Sequence, residues 1–264
     1  MPTSFSSNIP SDLSRRERER LMRRRAMLRA AQAVFAEKGY AGATLDEIAE
    51  RAEFGKGTLY NYFDGGKEGL LFAVFDEIYD EFCALIRETC SAERVADSSL
   101  RSCVHDFVVR AFLFYEERED LFMILIKEGY RLAFSDDTEK AAYFHDQQER
   151  MVDALAPAFA AEMESGAIRD LPVDAVAHML LENLNGMVIH RCIAERRAEN
   201  GAAGDGESAS AESPVSEASG DDCAATSLLH TPEAAADFLI AMIFDGLQTP
   251  SAPESADVDG SRTG

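Results

Sequence analysis

Apolar positions recur at helical spacing through nearly the whole chain, and no stretch sustains the period-two alternation of a half-buried strand. Leu21, Leu28 and Phe35 fall at seven-residue intervals, with Ala31 and Val34 on the same side, which predicts a helix over about 15–38. Gly39 follows where a helix C-cap favours a residue free to take positive φ. Leu45, Ile48, Ala49 and Ala52 keep the i, i+3, i+4, i+7 pattern, and Thr44-Leu45-Asp46-Glu47 supplies a capping box at their start. A third, short helix is predicted over about 56–63, with Leu59 and Phe63 turned inward.

Beyond Asp64-Gly65-Gly66 a long helix is predicted over about 67–90, with Leu71, Val74, Phe75, Ile78, Phe82, Leu85 and Ile86 as its buried stripe. Further amphipathic segments cover about 98–117, 119–134, 138–165, 173–198 and 232–247. Asp120, Thr138, Asp174 and Thr231 lie near their starts, and Gly129 interrupts the second. The fold class is all-α: a three-helix head over 15–66 and a helical body over 67–248. Residues 1–14 read as a mobile arm. The Gly-, Ala-, Ser- and acid-rich stretch within 199–230 reads as a flexible loop, and 249–264 as a tail of the same kind, because such segments bury too little apolar surface to offset ordering entropy.

Charge changes this picture. The 264-residue chain carries a net charge of -22, which argues against nucleic acid as a partner. The charge is partitioned, however. Residues 1–67 hold 12 Lys+Arg against 9 Asp+Glu, or +3, whereas the remainder holds 14 against 39, or -25. Within 15–29 there are eight Arg and two Glu. A basic head suited to a polyanion is thus joined to an acidic body. The acidic surface suits a salt-rich cytoplasm, or equally an acidic but otherwise ordinary bacterial protein.

Cys83, Cys90, Cys103, Cys192 and Cys223 are odd in number and form no C-x-x-C pair, so they read as small apolar residues in a reducing compartment. No stretch resembles a signal peptide, and the longest apolar runs, 121–126 and 238–244, fall far short of the roughly 20 residues of a membrane span. These features predict a cytoplasmic protein with no membrane association.

Residues 43–63 have the layout of a helix-turn-helix, whose second helix enters a DNA major groove. Lys56, Thr58, Tyr60, Asn61 and Tyr62 crowd the polar side of the short third helix. Lysine and tyrosine reach phosphates, while Asn and Thr meet base edges. Gly57 lets backbone approach DNA closely, and Thr44 presents a hydroxyl and backbone N–H groups to a phosphate. The competing reading is a solvated helix pair in which Tyr60 and Tyr62 pack on a neighbour. The arginine run Arg15, Arg16, Arg18, Arg20, Arg23, Arg24 and Arg25 reads either as a solvated face or as phosphate or minor-groove contacts.

From about residue 23 to 71 the chain resembles the tetracycline-repressor-like (TetR) family of transcriptional regulators. The resemblance rests on Ala30-Ala31, Val34-Phe35, Glu37-Lys38-Gly39-Tyr40, Thr44, Ile48-Ala49, the run Lys56-Gly57-Thr58-Leu59-Tyr60-Asn61-Tyr62-Phe63, and Lys67-Glu68. It implies DNA contacts from Arg25, Thr44, Gly55, Lys56, Gly57, Thr58, Tyr60, Asn61, Tyr62 and Lys67. Three positions depart from the family pattern. Glu53 replaces a turn glycine, Gly55 stands where Ser or Thr is frequent, and Gly65-Gly66 inserts one residue before Lys67.

The resemblance also implies a body that binds a small-molecule effector and dimerises through its last two helices. Phe82, Phe107, Phe114, Met123, Phe144 and Met151 are candidates to line a largely apolar cavity, though each also reads as plain core. Met179, Asn183, Met187, Phe238 and Met242 are candidates for the dimer interface. Neither a metal site nor a cofactor is expected. The expected partners are a double-stranded DNA operator, a second copy of the chain and an effector. An enzyme is the less favoured reading, since no P-loop, nucleophile elbow, H-E-x-x-H or dinucleotide fingerprint occurs. A helical adaptor with weakened DNA binding is the other alternative.

Overall fold

The computed structural model describes residues 13–204 and 231–247, with side chains described as far as 195 and over 231–245. The expected arm, loop and tail, and Cys223, lie wholly or mainly outside these residues. Ten α-helices and no strand occur among the described residues: α1 Arg15–Gly42, α2 Leu45–Arg51, α3 Lys56–Tyr60, α4 Lys67–Thr89, α5 Ala92–Asp97, α6 Leu100–Glu116, α7 Glu119–Ala133, α8 Thr138–Glu164, α9 Val173–Gly204 and α10 Pro232–Leu247. The chain forms two compact units. The first takes the described residues of Met1–Arg87 and Arg110–Met151, the second those of Glu88–Val109 and Val152–Gly264.

In the first unit α1 starts at a capping box: the Glu17 N–H donates to Ser14 Oγ at 3.3 Å and the Ser14 N–H to Glu17 Oε2 at 2.8 Å. Its regular path breaks at Gly39, where φ is 69°. Leu28, Ala31, Val34 and Phe35 are buried, as their spacing predicts, and Met27 with them, whereas Leu21, nearer the start of α1, is only half-buried. Ile48 of α2 and Leu59 and Phe63 at α3 join the same core. On α4, Leu70, Leu71, Val74, Phe75, Ile78 and Phe82 continue the core. Polar contacts then bind α8 along α4. Lys140 Nζ donates to Glu68 Oε1 at 2.8 Å, the Tyr143 hydroxyl to Asp76 Oδ1 at 2.9 Å, and Arg150 pairs with Asp80. Both partners advance in sequence together, so the two helices run parallel over this stretch. Gly129 costs α7 some helix propensity but lets the Phe144 ring close on it, since a Cβ there would stand 3.3 Å from Phe144 Cε1.

In the second unit the core is made by Val104, Phe107 and Val108 of α6, Leu155 and Phe159 of α8, Leu180 and Leu184 of α9, and Leu239 and Ile243 of α10. α6 and α10 run antiparallel, tied by His105 Nε2 to Asp237 Oδ1 at 3.2 Å and by Arg101 to Asp245 at 3.9 Å. The buried Cys90 lies in this unit, where burial pushes its thiol up to about 12.

One boundary differs from expectation, and one helix was not expected. Composition ends α9 at 198 and opens the loop at 199, whereas the helix runs to Gly204, carried on by Ala198, Ala202 and Ala203. α7 starts at Glu119, where the pattern puts it, with Arg118 as its N-cap. The short α5 escapes periodicity altogether, and its signal is a cap: Ser91 Oγ accepts from the Arg94 N–H at 3.3 Å.

Candidate nucleic-acid interface

α2 and α3 are set against each other by a Schellman turn. The Phe54 N–H donates to the Ala49 carbonyl at 2.9 Å and the Glu53 N–H to the Glu50 carbonyl at 3.0 Å. The residue between helix and turn must adopt positive φ, and Glu53 does so at 59°, the one non-glycine with positive φ among the described residues. The left-handed turn therefore forms without a glycine, at a cost of about 1–2 kcal/mol.

α3 begins at Gly55, an N-cap with extended backbone and no side-chain cap bond. The regular helix ends at Tyr60, short of the expected 63, because the chain tightens. The Tyr62 and Phe63 N–H groups both donate to the Leu59 carbonyl, at 3.0 and 2.9 Å. With Leu59 and Phe63 buried, Lys56, Gly57, Tyr60 and Asn61 are exposed and Thr58 and Tyr62 half-buried. Space around Gly57 is open: a Cβ there would meet nothing within 4 Å. Tyr60 is 50% exposed yet also packs on the link after α3, since a Cβ at Gly66 would stand 3.2 Å from Tyr60 Cε1.

Lys56 Nζ pairs with the exposed Asp46 Oδ2 at 2.8 Å, and this hydrogen bond holds its ammonium above the ordinary value. A phosphate would compete with that carboxylate for the same donor. Thr44 caps α2 as expected, but its groups are engaged. Its hydroxyl donates to Glu47 Oε2 at 2.9 Å, and its N–H reaches the same oxygen at 3.1 Å. Lys38 and Thr44 together hold the Glu47 carboxyl below its usual range. Lys67 is also engaged. Its ammonium donates to the carbonyl oxygens of Tyr40 and Ala43 at 2.9 and 3.0 Å and lies 4.6 Å from the Tyr40 ring centroid. Arg25 is half-buried on the side of α1 whose charges act on Glu77.

Two contacts escaped sequence reasoning. The Arg20 guanidinium lies 5.9 Å from the Tyr62 ring centroid, and that of Arg24 lies 5.5 Å from Phe63. The available signal was spacing, since Arg16, Arg20 and Arg23 stand at i, i+4 and i+7 on one helix face.

The remaining candidates lie in the helices that follow. Phe82 and Phe114 are buried with ring centroids 5.6 Å apart, and Phe144 packs 6.1 Å from Phe75. Met123 and Met151 are half-buried in the same unit, whereas Phe107 is a fully buried core residue of the second. Also in the second unit, Met179, Phe238 and Met242 are 48%, 45% and 49% exposed, and Ile193 joins them at 42%. Asn183 and Met187 are half-buried, and the Asn183 amide donates to the Met179 carbonyl at 2.7 Å.

A buried scaffold, a left-handed turn and an exposed polar helix define a helix-turn-helix DNA-binding regulator. The family model described as "Bacterial regulatory proteins, tetR family" matches residues 27–74. The HTH-type transcriptional repressor AcnR of Corynebacterium efficiens is 30% identical over 171 residues, covering 64% of this chain and 80% of its own. The HTH-type transcriptional activator FasR of Mycolicibacterium smegmatis is 33% identical over 115 residues, covering 44% and 47%. Among solved structures, the transcriptional regulator FadR of Bacillus subtilis, in complex with stearoyl-CoA, superimposes with a TM-score of 0.61 at 16% identity, over 84% of this chain and 98% of that one. The chain belongs to the TetR family of bacterial transcriptional regulators. No helix among the described residues is long and apolar enough to cross a membrane.

Proposed function

We propose that the chain is a cytoplasmic, dimeric, ligand-responsive repressor that binds a palindromic operator through α3 and is released by a small, largely apolar effector. The observation that carries this reading is the exposed set Lys56, Gly57, Tyr60 and Asn61, held on a buried scaffold with open space over Gly57. Thr44, Gly55, Thr58 and Tyr62 complete the DNA face. Arg25 and Lys67 join it only where their present neighbours yield to phosphate. Residues 15–66 act as the head and 67–248 as the regulatory and dimerisation domain.

Dimerisation is a geometric need, because one short helix reads few base pairs and a two-fold pair reads two half-sites. The exposed Met179, Ile193, Phe238 and Met242 supply apolar surface for it. The effector chemistry follows from the aromatic interior of the first unit, where Phe72, Phe75, Phe82, Phe114 and Phe144 gather. An acyl chain, as in the stearoyl-CoA held by FadR, is the first chemistry to screen. The chain binds rather than catalyses, as its regulator relatives suggest.

A fluorescence-anisotropy titration with the promoter DNA of its own gene tests the reading. Sequence-dependent binding that Lys56→Ala or Tyr62→Ala abolishes is expected, and equal affinity for scrambled DNA would sink it.

A further inference from the structure

The first three turns of α1 precede the segment 27–74 that matches the family, and they carry an unusual load of charge. Arg16, Arg20 and Arg23 stand at i, i+4 and i+7, so they form one row, and all three are exposed. The other arginines are spoken for. Arg18 donates to the Leu13 carbonyl at 2.7 Å, Arg15 pairs with Glu19, and Arg24, Arg25 and Arg29 act on Glu77. Glu17 is committed to the capping box. Among the described residues neither Arg16 nor Arg23 has an acidic partner, while Arg20 rests against Tyr62 at the end of the recognition segment.

Apart from the contact of Arg20 with Tyr62, nothing among the described residues rewards this arrangement. Like charges at i, i+3 and i+4 repel, and cations at a helix N-terminus oppose the macrodipole. Both penalties vanish when a row of anions lies alongside. We propose that Arg16, Arg20 and Arg23 form a second, sequence-independent DNA contact, gripping the phosphate backbone beside the groove that α3 enters. The contact of Arg20 with Tyr62 places the row next to the DNA face, so this inference rests on that face being the one proposed above. From Arg16 to Arg23 the helix advances about 10 Å, which matches the rise of about three phosphates along one strand. The ligand is duplex DNA read by charge. Base edges play no part.

The test is the salt dependence of DNA affinity for the full chain and for Arg16→Gln/Arg23→Gln. Each phosphate neutralised contributes about 0.9 to the slope of log affinity against log salt. With two phosphates released by each protomer of the dimer, the double variant is therefore expected to lower that slope by about 3.6, with an equal fold-loss on operator and scrambled duplexes and a melting temperature equal to or higher than that of the natural chain. Arg16→Lys/Arg23→Lys, which keeps the charges, is expected to restore the slope. An unchanged slope in the glutamine variant overturns the proposal, as does a loss confined to the operator. If the natural chain binds both duplexes equally, the reading of α3 fails while the slope still decides the row. A chain that binds neither overturns both.

Discussion

Lys67 closes the end of α1: its ammonium donates to the Tyr40 carbonyl oxygen at 2.9 Å and lies 4.6 Å from that residue's ring centroid. A second bond, to the Ala43 carbonyl at 3.0 Å, ties the same side chain to the entry of α2. One cation at the first position of α4 thus satisfies carbonyls at and just beyond the end of α1, where the helix supplies no further N–H donors. Lys67→Met is expected to cost roughly 1.5 kcal/mol or more, since bonds to a charged donor are the stronger kind. It is also expected to weaken operator binding without changing the salt slope. A slope lower by about 1.8, one phosphate per protomer of the dimer, would instead show a phosphate contact. Urea unfolding and anisotropy at several salt concentrations check both.

Glu53 holds positive φ with no side-chain compensation among the described hydrogen bonds. Glu53→Gly is expected to stabilise the head by about 1 kcal/mol, less a fraction lost to the freer unfolded chain. Thermal unfolding measures it, and a lower melting temperature would contradict the strain assigned to this turn.

Gly57 separates folding from binding. No atom lies within 4 Å of a Cβ placed there, and alanine is favoured over glycine in a helix by about 1 kcal/mol. Gly57→Ala is therefore expected to leave the melting temperature equal or higher while operator affinity falls at least tenfold. Undiminished affinity would mean that DNA does not approach the backbone at this point.

Burial pushes the Glu77 carboxyl up, opposed by Arg24, Arg25 and Arg29 and reinforced by Glu81. A carboxyl raised on folding binds its proton more tightly in the folded state. Its contribution is then complete below the unfolded value and is lost as pH rises through the folded one. Glu77→Gln keeps an oxygen for the Gln32 amide, which now donates to Glu77 Oε2 at 3.0 Å. The variant is expected to gain stability relative to the natural chain as pH rises from about 4 towards 7. Urea midpoints across that range decide it, and a constant difference would rule out the carboxyl as the cause.

Much of this was legible in residue order. The boundaries of α2 followed from Thr44 and Glu47, because a capping box states its own register. Buried Leu59 and Phe63 followed from four-residue spacing, which survives even where the regular helix stops at Tyr60. The positive φ at Glu53 followed from resemblance, since its own residue type opposes it. Other features needed three dimensions. Lys67 finds its carbonyls 24 and 27 residues away, and Arg20 finds Tyr62 across the head. No local pattern carries such information. Gly69 is the extreme case, a glycine inside a predicted helix whose reason lies in the preceding loop.

That loop has a consequence for building chimeras. Gly65 and Gly66 take φ of 78° and 66°, turning the loop so that the Asp64 carbonyl lies where a Cβ at position 69 would fall. Backbone cannot yield there as a flexible side chain would. The path of this loop and the residue at 69 are consequently one unit, and an alanine at 69 becomes tolerable only if the loop is rebuilt with it. A head transplanted onto this body must therefore bring its own first turn of α4 with its loop, so the workable splice point lies beyond Gly69.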